Sequence, residues 1–260
     1  MNVRALTEAL RTSAQRTVAE RGGLFVAAAF YIVIVATLSG LWRVAADANG
    51  GSLGGYTAVA LTWYIVTSES ATVSISQRLI EIIGQDVASG TIAVELLRPA
   101  SVLWMRVVSE LGRALPKVLV LWLAGAALAS LVAGAPPDPG TLVLVAPSLV
   151  LAVLANLLGQ HAIAASTFWL RDAGGVWFLW LKAVFITGGM IIPLELLPDG
   201  LERVCFVLPF WTMAYAPARL ASGHWEPMLL VGQLAWVVAL AVGARLAFGA
   251  GKRRLQVVGG

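Results

Sequence analysis

One carboxylate, Glu69, falls near the middle of a long apolar run in this sequence. An ionisable group at that depth of a membrane is costly unless paired or wetted, so Glu69 is expected to face protein or a water-filled cavity. Thr62, Glu69, Thr72 and Ser76 follow at intervals of 7, 3 and 4, which puts them on one helical face. Such a stripe suits the wall of a transport pathway and equally suits hydrogen bonding between helices; the sequence leaves both open. Asn156, Gln160 and His161 form a similar patch, with packing the expected role. Trp177, Phe178, Trp180 and Phe185 offer an aromatic surface to a greasy substrate, against the alternative of an interfacial belt or packing.

Other chemistries lack their residues. There is no G-x-x-x-x-G-K-[ST] segment, so the backbone cradle and lysine that bind nucleotide phosphates are missing, and ATP hydrolysis is not expected on this chain. H-E-x-x-H and a nucleophile elbow are also absent, and His161 lies far from His224. With Cys205 as the single cysteine, no internal disulfide and no cysteine-based metal site can form. No catalytic residue and no metal ligand is assigned, and no cofactor is expected on the chain.

The elements that must position these residues are membrane helices. The 260 residues are 59% hydrophobic and 12% charged, where a soluble domain carries about 25% charged residues. About 20 apolar residues cross a hydrocarbon core, and six segments qualify: 24–42, 56–75, 114–132, 142–168, 176–192 and 228–248. The fold expected is an all-α integral membrane protein with six transmembrane helices. The first segment is read as a retained anchor, because its apolar part exceeds that of a signal peptide. The domain division is an amphipathic helix over 1–22, a six-helix domain over 23–250 and a basic tail over 251–260.

Lys and Arg bias orients the bundle. With both termini cytoplasmic, fifteen basic residues fall inside, Lys182 among them, and only Arg43, Arg203 and Arg219 fall outside. The compartment implied is a bacterial plasma membrane. Because the basic residues sit between apolar runs and form no stripe or arm, membrane lipid is the expected partner and nucleic acid is not.

Three segments do not span. Val3, Leu6, Leu10, Ala14 and Val18 recur at helical spacing opposite Arg4, Glu8, Arg11 and Gln15, the pattern of a helix lying in the headgroup plane. Between spans two and three, 77–87 reads as a short surface helix, with Leu79, Ile80, Ile83 and Val87 on one face and Gln77, Arg78, Glu81 and Gln85 on the other. Ser89-Gly90 then marks a turn, and a second amphipathic stretch begins near Ile92 and runs through Pro99. The outer segment 193–227 is too apolar for a solvated loop and too broken by Pro193, Pro198, Pro209 and Pro217 for one helix. It is expected to dip into the membrane, packed against protein.

The cytoplasmic stretch DVASGTIAVELLRPASVLWMRVVSELGRAL resembles the segment of ABC-2 type permeases in which Gly-Thr, a Leu-rich helix and a Pro lead into the third span. The outer IPLELLPDGLERVCFVLPF is similar to their Pro-rich segment before the last helix, and GTIAVELLRP followed by FWLRDAGGVWFLWLKAVFITGGMIIPLELLP looks most like the multidrug or uncharacterised export branch. That resemblance implies a permease subunit working with two copies of a separate ATPase, which would bind ATP and Mg. It also implies a second permease, identical or homologous, with a heteromeric pair favoured. Arg78, Glu81, Gln85, Asp86, Glu95 and Arg98 would form the ATPase-coupling surface. Thr62, Glu69, Thr72, Trp177, Phe178 and Phe185 would line the pathway, and Pro193, Pro198 and Pro209 would shape an outer gate. The alternatives are a secondary transporter, which would normally show more than one ion-coupling carboxylate, and a lipid-modifying membrane enzyme, for which no acid/base constellation appears. Small hydrophobic or amphipathic compounds are the substrates expected.

The topology is testable by cysteine substitution in a Cys205→Ser background. Positions 138 and 202 should react with an impermeant thiol reagent in intact cells, and position 98 should react only after permeabilisation. Labelling of Arg98→Cys from outside would invert or break the map.

Overall fold

The computed structural model describes residues 3–96, 101–170 and 173–258. Arg98, Pro99 and Arg171 lie outside the described residues. Helix α1 (Val3–Ala19) leads into α2 (Arg21–Ala48). A small antiparallel hairpin pairs Ser52–Leu53 with Tyr56–Thr57. It turns on Gly54 and Gly55, both at positive φ (55° and 85°), as a tight two-residue hairpin turn requires. Then come α3 (Ala58–Val73), α4 (Leu79–Ala88), α5 (Thr91–Leu96) and α6 (Val102–Val132). Helix α7 (Leu142–Ala164) runs on into a tighter turn, Ala165–Phe168, and is followed by α8 (Ala173–Thr187). The outer segment holds α9 (Asp199–Val207) and α10 (Tyr215–Ala221), and α11 (Met228–Val258) closes the described chain.

Among the described residues, four helices are long and apolar enough to cross a membrane: α2, α6, α7 with its flanking turns, and α11. Helix α8 is apolar but has only 15 residues, and α3 has 16. Each is thus roughly 22 to 24 Å long, short of the roughly 30 Å hydrocarbon core. The expectation of six spans resolves into these four long helices and two shorter ones. Helix α8 stops where Gly188 and Gly189 turn the chain, Gly189 at φ 67°, although the apolar run continues to Ile192.

Helix α3 is the axis of the bundle, with thirteen consecutive residues from Ala60 to Thr72 buried. Thr57 caps it by accepting from Ala60 N at 3.2 Å. Its neighbours reach it by hydrogen bonds as well as packing. Tyr31 of α2 donates to Val66 O (2.7 Å), Trp122 of α6 donates to Thr67 Oγ1 (3.1 Å), and Ser68 donates to Met190 O (2.7 Å). Around α3, one apolar core gathers α2, α6 and α10, and a second gathers α4, α7 and α11. A buried polar knot joins α7 to α11: Ser148 donates to Gln233 Oε1 (2.8 Å), and Gln233 Nε2 donates to Thr212 O (2.8 Å).

Helix α1 packs along the first turns of α6. The side turned inward is Leu6, Leu10, Ser13, Ala14 and Thr17, while Val3 and Val18 are exposed. The two helices approach closely where α6 offers Gly112. A Cβ at Gly112 would strike the carbonyl of Leu10. Pro116 lies within α6 and cannot donate a hydrogen bond to the carbonyl of Gly112, four residues back.

Gly125 tests the packing around α3. A Cβ there would collide with the Tyr31 hydroxyl and crowd Val66, so Gly125→Ala should displace the bond to Val66 O. The expected cost is about 1–3 kcal/mol, read as a lower thermal unfolding midpoint in detergent. Gly243→Ala, which meets nothing within 4 Å, is the matched control and should leave the midpoint unchanged or raise it.

Candidate functional site

At the end of the bundle holding the loops after α3 and α7, the sequence-predicted surface helix forms as α4. Leu79, Ile80 and Ile83 are buried against α7 and α8, and Gly90 at φ 77° ends the helix and turns the chain into α5. Arg78 and Glu81 pair with each other at 2.6 Å, and Arg78 and Gln85 are exposed. Asp86 and Glu95 behave differently. Arg106, on the first turns of α6, bonds to both, at 2.6 Å to Asp86 Oδ2 and 2.8 Å to Glu95 Oε2. One guanidinium therefore clamps α4 and α5 onto α6. The sequence placed Arg106 among the orientation charges and at the end of a second candidate coupling stretch, 95–106, but gave no sign of its partners, which lie 20 and 11 residues upstream, beyond any helical repeat. Trp177 adds a second tie, donating from Nε1 to Gln77 O and so joining α8 to the chain entering α4.

A cleft of about 230 Å³ opens in front of α3. Helix α2 packs on α3 and α6, whereas α8 packs on α4 and α7, and the cleft lies in the gap between the two groups. The structure brings Glu69, Thr72 and Phe185 together here with Phe30, Asn156 and Trp180. Glu69 is only 3% exposed and has no hydrogen bond or ion pair to another described residue. Thr62 is buried one turn from the start of α3, donates to Ala58 O (2.9 Å), and does not line the cleft. Phe178 is exposed on the outside of α8, where the Lys182 ammonium lies 5.3 Å from its ring and 5.7 Å from that of Phe185. Lys182 stands mid-helix in α8. Among the described residues, no group of three or more His, Cys, Asp or Glu side chains gathers to hold a metal.

At the opposite end, the Pro-rich segment folds back onto the bundle. Pro193 precedes the turn Leu194–Leu196, Pro198 precedes α9, and Pro209 begins the turn Pro209–Thr212. Helix α10 is buried between α3 and α7. An ionic network anchors it. Arg219 meets Glu195 at 3.2 Å and Glu226 at 3.0 Å and donates to the Tyr56 hydroxyl, while Tyr56 and Tyr215 both donate to Glu195. His224 stacks obliquely on Tyr56 at 5.1 Å, and its Nδ1 lies 3.1 Å from Ser222 Oγ. The partners come from distant parts of the chain, so only the segment's composition signalled this network beforehand.

Burial, and next the Arg219 guanidinium, hold the His224 pKa below its ordinary 6.5, against the opposing pull of Glu226 and Glu195. The unfolded segment therefore binds the proton more readily. Stability from neutral His224 is complete above about pH 6.5 and is lost as pH falls below it toward the depressed folded value. Hydrogen exchange of α10 peptides should accelerate between about pH 7.5 and pH 5.5 beyond its intrinsic pH dependence, and His224→Gln should remove that excess. An excess unchanged in the variant would assign the effect to another group.

No curated protein matches the chain at a significant level. A family model described as ABC-2 family transporter protein matches residues 31–259, an interval that takes in the cleft apart from Phe30, the Arg106 clamp and the whole Pro-rich segment. By that match and by its helical membrane architecture, the chain belongs to the ABC-2 family of transporter membrane proteins.

Proposed function

We propose that the chain is the permease subunit of an ATP-driven exporter, moving a hydrophobic or amphipathic substrate across a bacterial plasma membrane, with both termini cytoplasmic. ATP and Mg bind a separate ATPase present in two copies, and a second permease, preferably a homologue, completes the membrane unit. Family membership supports this reading, because such membrane components associate with ABC ATPases. The observation that carries it is the Arg106 clamp. Force from outside the membrane needs a stiff handle continuous with a spanning helix, and Arg106 makes α4, α5 and the start of α6 one block. Arg78, Glu81 and Gln85 are the docking residues, whereas Asp86 and Glu95 hold the block together. Arg98, outside the described residues, keeps the coupling role that the family resemblance implies for it. Glu69 and Thr72 line the pathway, and the segment shaped by Pro193, Pro198 and Pro209 is the outer gate.

Each partly exposed ion pair contributes only about 0–1 kcal/mol, so the clamp is expected to matter for force transmission more than for folding. Arg106→Gln should leave the permease in the membrane with its ATPase bound while export falls and hydrolysis loses its response to substrate. Glu81→Lys combined with Gln85→Lys should instead weaken recovery of the ATPase with the permease. Both are measured by affinity purification, ATP hydrolysis and export in membranes of matched permease content. Unchanged values in both variants would remove this block as the coupling element.

A further inference from the structure

The cleft in front of α3 has an asymmetric polar wall. Glu69 brings a carboxylate, nine-tenths and more buried, without a partner among the described residues. Thr72 donates its hydroxyl proton to Ser68 O (3.0 Å), and Gln77 donates its amide to Thr72 O (2.8 Å), so both leave oxygen atoms as acceptors beside the cleft. The remaining wall holds Asn156, whose Oδ1 accepts from Gln160 Nε2 (2.9 Å), and is otherwise apolar and aromatic, from Phe30, Trp180 and Phe185. Phe30 and Phe185 are substantially exposed, at 63% and 40%, and form the lip between α2 and α8. Acceptors on one side and aromatic faces on the other suit a ligand that is cationic, donates hydrogen bonds and carries an apolar body. A charged partner offsets the cost of a buried carboxylate, and ring faces attract cations. The chain's own Lys182 already lies over the Phe178 and Phe185 rings without pairing with Glu69.

Resting on the permease reading above, we propose that this cleft is a binding site for amphipathic amines in their protonated form, with Glu69 as the counter-ion. Neutral lipids and uncharged compounds of the same shape bind there more weakly. Glu69 supplies the charge selection, Thr72 and Gln77 supply further acceptors, and the aromatic lip admits the apolar body through the gap between α2 and α8.

The test uses the permease purified with its ATPase and reconstituted in phosphatidylcholine nanodiscs. An aryl-azide derivative of N,N-dimethylbenzylamine labels the cleft, and labelled peptides are mapped. Competition is compared between N,N-dimethylbenzylamine, cationic at neutral pH, and isobutylbenzene, its uncharged isostere, at matched membrane-phase concentrations. In the wild type the amine should compete roughly tenfold or more better, the scale of one hydrogen-bonded charge, with label on α3 and α8 peptides. In Glu69→Gln the two competitors should converge, and Glu69→Asp should keep part of the preference. Equal competition in the wild type, or a preference unchanged in Glu69→Gln, overturns the proposal. If Glu69→Gln does not yield a monodisperse protein, the wild-type comparison with the Glu69→Asp variant still decides. Failure of any ATPase to accompany the wild-type permease would count against the permease reading alone, since the labelling measurement needs no ATP.

Discussion

Helix α3 carries hydroxyl groups and a carboxylate at a depth where the surrounding helices leave them no solvent, and every polar group on it must be answered from within the protein. Most are answered by its own backbone, with Thr67, Ser70 and Thr72 donating to carbonyls three or four residues back. The rest fix its neighbours. The Tyr31 hydroxyl reaches Val66 O, the Trp122 indole reaches Thr67, and Tyr64 and Ser68 hold the carbonyls of the Gly189–Met190 turn. These bonds set how α2, α6 and the turn after α8 approach the axis, and they account for the close contact of Tyr31 with Gly125. Glu69 is the polar group on this helix left without such an answer among the described residues, and it faces the space that α2 and α8 do not fill.

The two ends of the bundle use charge in a common way. At one, Arg106 ties three helices that are consecutive in the chain. At the other, Arg219 ties the hairpin, the Pro-rich segment and the approach to α11. In each case a single planar cation with several donors serves partners from separate elements, a task for which its fork is better shaped than an ammonium. Between the ends, small residues and aromatic packing add to the buried hydrogen bonds, as where Trp180 fits against Gly159 and Trp211 against Gly232.

Much of the architecture was legible in the sequence where one local rule dominated. The apolar runs of α2, α7 and α11, the amphipathic face of α4 and the isolation of Glu69 all follow from residue type and period. Boundaries failed where two rules competed. Arg106, Glu110 and Arg113 lower the hydropathy of 102–113, yet helix α6 continues through it because the charges find partners at the bundle end. In α8 the apolar run outlasted the helix, since Gly188 and Gly189 broke the backbone but not the hydropathy. The period of α1 marked an amphipathic helix but not its partner, since the contact with Gly112 of α6 forms only in the assembled bundle. The clamp and the outer network were not legible, since their partners meet only after the helices are assembled. The cleft was half legible: its carboxylate stood out, and Trp180 and Phe185 were among the aromatics singled out, but nothing in the period of α2 marked Phe30 as a wall.

Helix α6 has a further mechanical property. Pro116 interrupts the hydrogen-bond ladder at the carbonyl of Gly112, and Gly112 is also where the backbone of α1 bears on α6. The clamped turns around Arg106 lie on one side of this interruption, and the turns that carry Trp122 and Gly125 against α3 lie on the other. In the coupling proposed above, α6 would therefore serve as a jointed lever with α1 resting at its fulcrum. Rotation of the short arm would bend the joint before moving the long arm, and the firmness of α1 against Gly112 would set how much of the stroke is passed on.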